Sequence, residues 1–226
     1  MNTKAVIFDL DDTLYPEVSY CLSGYRKTAE YIAGKYGGDP EGIYEELERL
    51  FREDAGMVFN RYLEAHGISY EKADVMEMIK VYREHRPEIF YHKDAMPAVK
   101  ALKELGVKTG ILSDGFATAQ RHKCEALKAY EIFDIVVLTD EIGKDREAWK
   151  PSPIGFEKIC AEFGAKPQEV IYVGDNPKKD FYVSRTAGVR TARITRADGV
   201  YRNEPYFEGV RETYELKNLE DIVRYL

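Results

Sequence analysis

The chain has 226 residues, 44% of them hydrophobic, and sets 33 Lys and Arg against 40 Asp and Glu for a net charge of −7. That length and apolar content suffice for one α/β core with an inserted subdomain, and the negative balance disfavours nucleic acid and anionic membrane surfaces as partners. No basic leader precedes a long apolar stretch, and no apolar run approaches bilayer length, so a cytoplasmic protein is expected.

The first predicted element is a short apolar strand, residues 5–8, which runs into Asp9-Leu10-Asp11-Asp12-Thr13. Val18, Leu22, Tyr25, Ala29, Ile32 and Tyr36 then recur at alternating steps of four and three, the apolar face of an amphipathic helix. Asp39-Pro40 supplies an N-cap and first-turn proline for a second helix carrying Ile43, Leu47 and Leu50. A third covers 58–65 and stops at His66-Gly67, and a fourth, which Ser69 can cap, bears Val75, Met78, Ile79 and Tyr82 and ends by Pro87. Four helices without an intervening strand make a small bundle.

From about Asp94 the pattern alternates: helix 97–105, strand 107–112, helix 117–129, strand 132–138, helix 153–163, strand 170–173, helix 178–187, strand 189–194 and a last helix near 219–225. Such alternation specifies a parallel sheet with helices on both faces. The fold class is therefore α/β, a Rossmann-like parallel sheet core with an inserted α-helical bundle. Residues 1–15 and 93–226 form the predicted core and 16–92 the insert.

Three strands end in acid or hydroxyl residues: the first in the Asp9 cluster, 107–112 in Ser113-Asp114-Gly115, and 170–173 in Gly174-Asp175-Asn176-Pro177-Lys178-Lys179-Asp180. In an open parallel sheet the ligand crevice lies beyond the carboxyl ends of the strands, so these endings meet. Residues two apart on an extended strand share a side, which places Asp9 near Asp11 with Asp12 beside them. Like charges at that range repel, and a hard, oxygen-seeking cation such as Mg²⁺ satisfies them. The plainer alternative is that Asp11 or Asp12 caps a turn or helix start. Ser113 with the backbone amides of Asp114 and Gly115 suits phosphate oxygens.

Asp9-Leu10-Asp11-Asp12-Thr13, Ser113, Lys150-Pro151 and Gly174-Asp175-Asn176-Pro177-Lys178-Lys179-Asp180 together resemble, in order and over nearly the whole chain, the four motifs of the haloacid dehalogenase (HAD) superfamily. The insert after the first strand resembles the helical cap of many members. The resemblance implies Asp9 as nucleophile, attacking phosphorus to form an aspartyl-phosphate, and Asp11 as the acid that protonates the leaving oxygen and then takes a proton from water. It implies Mg²⁺ held by Asp9, the backbone carbonyl of Asp11 and Asp175, with Asp180 supporting the metal through its water shell. Lys150 matches the basic residue that neutralises phosphate and nucleophile. The stretch from Glu141 to Lys150 is longer than the usual spacing, which leaves Lys144 as a rival; Pro151, Pro153 and Phe156 favour Lys150, and Ser152 can cap the next helix.

Within the superfamily that the chain resembles, an aspartate two residues after the nucleophile, here Asp11, implies phosphate-ester hydrolysis. The expected function is a Mg²⁺-dependent phosphatase acting on a small phosphorylated metabolite, with a phosphomutase as the alternative and a dehalogenase or non-catalytic phosphate-binding protein less favoured. Substrate contacts are sought in the insert, where Tyr20, Arg26, Arg52, Arg61 and Tyr91 are candidates. Cys21, Cys124 and Cys160, odd in number and scattered, read as reduced thiols rather than a disulfide framework or a zinc site. Arg185, Arg190, Arg193 and Arg196 read as solvated surface, and His66, His85, His92 and His122 as structural or solvent-facing.

Overall fold

A computed structural model describes residues 2–226. The chain divides into two compact units: Met1–Glu17 with Phe90–Leu226, and Val18–Ile89. The first holds a six-stranded, wholly parallel sheet of order β3-β2-β1-β4-β5-β6. Its strands are β1 (Ala5–Phe8), β2 (Lys108–Ser113), β3 (Ile135–Leu138), β4 (Val170–Gly174), β5 (Arg190–Ile194) and β6 (Tyr214–Leu216).

Parallel strands covered on both faces read as continuous apolar runs, and β1 (AVIF) is buried at all four positions. On one face Ala5, Ile7, Leu112, Val137, Val170 and Tyr172 pack with Phe156 and Ile159 of a helix at Ile154–Phe163. The order reverses at β1, which has β2 on one side and β4 on the other, and at such a switch point the connections leave in opposite directions and open a crevice.

The second unit is helical: α1 (Glu17–Tyr36), α2 (Pro40–Glu53), α3 (Val58–Ala65) and α4 (Lys72–Glu84). Asp39 caps α2, its carboxylate accepting from the Gly42 amide at 2.9 Å. Ile32, Leu47, Leu63 and Met78, one from each helix, are fully buried in a common cluster with Tyr25, Phe59 and Val75. Ser69 does not cap α4; the helix starts at Lys72, where Asp74 accepts from the Glu71 amide at 2.8 Å.

Several predicted boundaries shift. In place of one helix over 117–129 there are α6 (Ala117–Ala126) and α7 (Ala129–Ile132), following α5 (Ala95–Glu104). Lys128, at φ 53° between them, leaves the helical region. Pro153 rather than Ser152 occupies the cap position of the helix at Ile154–Phe163. The predicted helix at 178–187 is reduced to one turn, Val183–Thr186, because the Asn176 amide donates to Asp180 and the Lys178 amide to the Asn176 side chain, folding the segment on itself. The last helix is a 3-10 helix.

Candidate active site

Register sets the site. Phe8 pairs with Ile111 on β2 and Val173 on β4, so Asp9, Ser113 and Asp175 emerge within two residues of one level at the carboxyl edge. The Asp9 amide extends the ladder by one bond, to the Val173 carbonyl at 2.8 Å, which fixes the backbone where its side chain leaves the sheet.

Asp9, Asp175 and Asp180 form a buried carboxylate trio, each offering an oxygen within 4.8 Å of the others. Asp180, expected behind a metal, stands in the trio itself. Gly174 allows this: a Cβ there would collide with the Asp180 carboxylate. Lys150 is buried against the trio, its Nζ 2.8 Å from Asp9 and 3.1 Å from Asp180, and it also donates to the Tyr172 hydroxyl. Lys144, the rival, is exposed. A second ammonium, Lys179, acts on the trio from its place on Asp114, and two cations do not neutralise three carboxylates. Burial pushes Asp9 up to about 6 despite Lys150. Burial, then Asp180 and Asp9, push Asp175 well above the carboxylate range. The trio thus presents hard oxygen donors with uncompensated negative charge, the donor set that Mg²⁺ takes.

The other aspartates of the first motif point elsewhere. Asp11 does not place its carboxylate in the trio: it receives the Lys123 ammonium at 2.7 Å, the Gln120 amide at 2.8 Å and the Tyr15 hydroxyl. Burial alone would raise its pKa, but Lys123 and these hydrogen bonds hold it below the ordinary value. Asp12, at φ 50°, accepts from the Glu17 amide at the start of α1 (2.8 Å) and from the Val200 amide (2.9 Å). Proximity in sequence therefore does not make one three-carboxylate cluster; a turn at Leu10–Thr13 separates three tasks.

Ser113 is fully buried at the end of β2 and accepts from Gln120 at 2.6 Å. Gly115 sits at φ 141°, a conformation that disfavours a side chain. The Asp114 side chain accepts from Thr139 (3.0 Å), the Lys150 amide (3.1 Å) and Lys179 (3.1 Å), which ties the β2 turn to the segments bearing both lysines.

Sequence reasoning missed Gln120, Lys123, Tyr172 and Lys179. The first two carried a signal: Ala119, Gln120, Lys123 and Cys124 form the buried face of α6, so two long polar side chains occupy positions where a helix packing on a sheet carries apolar ones. Lys179 could not be told from Lys178, which is exposed and pairs with Glu204 at 2.8 Å. Tyr172 was hidden in an apolar strand.

Of the arginines expected as solvated surface, Arg185 is exposed, whereas Arg190, Arg193 and Arg196 are ties within the core unit. Arg196 pairs with Asp94 at 2.8 Å and reaches the Thr13 carbonyl at 2.7 Å, Arg193 donates to Tyr206 at 2.6 Å and Arg190 to Thr3 at 2.6 Å. Arg26, Arg52 and Arg61, candidates for substrate contact, are engaged inside the helical unit. Arg26 pairs with Glu41 and lies over Tyr44, Arg52 pairs with Glu48, and Arg61 donates to the Leu50 and Asp54 carbonyls.

A parallel sheet of this order, with acid, hydroxyl and lysine residues gathered at its switch point, defines a hydrolase of the HAD type, and the chain belongs to that family: the profile of haloacid dehalogenase-like hydrolases matches residues 3–188. Among particular proteins, it is 32% identical to a glyceraldehyde 3-phosphate phosphatase of Methanopyrus kandleri, over 99% of this chain and 98% of that one. It is 29% identical to the pyrophosphatase PpaX of Halalkalibacterium halodurans, over 99% and 96% of the two chains. A HAD-superfamily hydrolase of subfamily IA, variant 1, from Geobacter sulfurreducens shares the fold with a TM-score of 0.68, at 20% identity over 99% of this chain and 96% of that one. Among the described residues no helix is long and apolar enough to cross a membrane.

Proposed function

We propose that this enzyme is a Mg²⁺-dependent phosphatase that hydrolyses a small phosphorylated metabolite through a phosphoryl group carried on Asp9. The observation that carries the reading is the Asp9 carboxylate, buried, 2.8 Å from Lys150 and grouped with Asp175 and Asp180 at the sheet's switch point. The family and its phosphatase relatives give the same reaction class.

In this mechanism the Asp9 oxygen attacks phosphorus in line while the ester oxygen departs, and water then releases phosphate from Asp9. Asp11, protonated when the substrate is bound, gives that proton to the departing oxygen and takes one back from the attacking water. The Ser113 hydroxyl, the amides of Asp114 and Gly115, and the Lys150 ammonium bind the phosphoryl oxygens. Asp9, Asp175, Asp180 and the backbone carbonyl of Asp11 are the groups that would hold Mg²⁺; when bound, it offsets the repulsion between phosphate and carboxylates.

The relatives suggest where to look for substrate: a triose phosphate, whose leaving group is a neutral hydroxyl compound, and pyrophosphate, whose leaving group is an anion. Either compound can be offered beside sugar phosphates and nucleoside monophosphates in a release assay. Turnover is expected to stop with excess chelator and to return with Mg²⁺, and Asp9→Asn to lower it about 10⁴-fold or more. Full activity in chelator would remove the metal from the mechanism, and substantial activity in Asp9→Asn would remove the nucleophile.

A further inference from the structure

We propose that Gln120 and Lys123 are positioning residues, a pair of donors on α6 that fixes the Asp11 carboxylate for proton transfer and, through Gln120, aims the Ser113 hydroxyl at the phosphoryl group. The proposal rests on the reading of Asp11 as acid and base given above.

Lys123 and Gln120 are three apart on one helix, hence on one face, and both are almost wholly buried. Their targets are the two different oxygens of one carboxylate: Lys123 Nζ lies 2.7 Å from Asp11 Oδ1, and Gln120 Nε2 lies 2.8 Å from Oδ2. Tyr15 adds a third donor to Oδ1. A carboxylate tied at both oxygens from one rigid element cannot rotate freely.

The same Gln120 nitrogen is 2.6 Å from Ser113 Oγ. In the free enzyme Lys123 favours the ionised Asp11, a carboxylate that only accepts, so the amide nitrogen rather than its oxygen faces Asp11, and its second hydrogen goes to Ser113. Ser113 is then the acceptor in that bond, which leaves its own hydrogen to donate in another direction. Gly115, in the turn before α6, keeps the space open, since a Cβ there would come within 2.9 Å of the Gln120 side chain.

Burying an ammonium is unfavourable unless it is paired, and an apolar side chain of similar length would pack this helix face as well. The geometry gives the lysine a use at the carboxylate. Proton transfer requires the carboxylate within hydrogen-bond reach of the leaving oxygen, and a misplacement of about 1 Å costs about 10²-fold in rate.

The test compares kcat/KM, which reports transfer to Asp9, for two esters: glycerol phosphate, whose leaving oxygen needs a proton, and p-nitrophenyl phosphate, whose leaving group departs as an anion. Lys123→Met and Gln120→Leu are each expected to lose about ten times more on the alkyl ester than on the aryl ester. Lys123→Arg, which keeps a donor, should recover most of the difference. Gln120→Leu should also weaken product inhibition by inorganic phosphate, because it removes the bond to the Ser113 hydroxyl. Equal losses on both esters, which a merely structural role would produce, would overturn the proposal, as would no loss on either. Asp9→Asn is measured alongside. Its inactivity, with an active parent chain, supports the phosphatase reading whatever Lys123 does, while activity surviving in it would overturn that reading and this proposal with it.

Discussion

The two units bury different things. In the helical unit, Thr28 and His85 are the buried polar side chains among the described residues, and the charges pair at the surface: Arg26 with Glu41, Lys27 with Glu30, Arg52 with Glu48. In the sheet unit, Asp9, Asp114, Lys123, Lys150, Asp175 and Asp180 are all buried around the ends of β1, β2 and β4. Exposed pairs contribute little to stability, and buried ones cost desolvation that their mutual attraction only partly returns. The helical unit is held by its apolar cluster; the sheet unit carries an electrostatic load at one edge, which its continuous strand core offsets.

Removing one charge from the loaded edge should expose the contrast most strongly. Lys150→Met leaves Asp9 and Asp180 buried without the ammonium that touches them, so it should destabilise by about 3–5 kcal/mol as well as suppress turnover. Adding Mg²⁺ should restore part of the unfolding temperature. A variant as stable as its parent in the absence of metal would mean that the edge is far better hydrated than its burial implies.

In the helical unit the same sensitivity should belong to an apolar side chain. Leu47 is fully buried among the helices, and Leu47→Ala should cost about 2–4 kcal/mol by opening a cavity. Below its unfolding temperature this variant should still hydrolyse p-nitrophenyl phosphate. Loss of that activity in a folded variant would show that the helical unit takes part in chemistry on even the smallest ester.

A smaller effect belongs to His92, half-buried in the sheet unit and held neutral by burial and then by Arg196, which depress its pKa to about 4. The unfolded chain binds its proton near pH 6.5, so between about 6.5 and 4 the unfolded state takes up more protons than the folded one. The stabilisation is present above that window and is lost as pH falls through it. His92→Gln should flatten the fall of the unfolding free energy between these pH values by an amount on the order of 1 kcal/mol after solvent screening. An unchanged slope would place the acid sensitivity elsewhere.

The smallest effect is expected at the surface of the helical unit. Arg52→Ala removes the exposed pair with Glu48 and should change stability by no more than about 0.5 kcal/mol. A larger change, measured by denaturant unfolding, would erase the distinction drawn between the two units.

The sequence by itself determined the alternation that makes a parallel sheet, the apolar faces of the four inserted helices, and the three strand endings that meet at one edge. Those signals are local: an apolar run, a 3.6-residue period and an aspartate before a proline act over a few residues and are written contiguously. Strand β6, three residues with only Leu216 buried, was too short to show a period. The directions of neighbouring side chains were decided only by the tertiary structure. Asp9, Asp11 and Asp12 look like one cluster in a row, yet a turn sends one carboxylate to Lys150, one to α6 and one to the starts of α1 and the Val200 loop. Lys123 lies 112 residues from Asp11, and Lys179 lies 65 from Asp114. Pairings over such distances arise from register and crossover helices, so a lysine that reads as solvated surface in the sequence becomes the buried partner of a carboxylate only when the sheet is assembled.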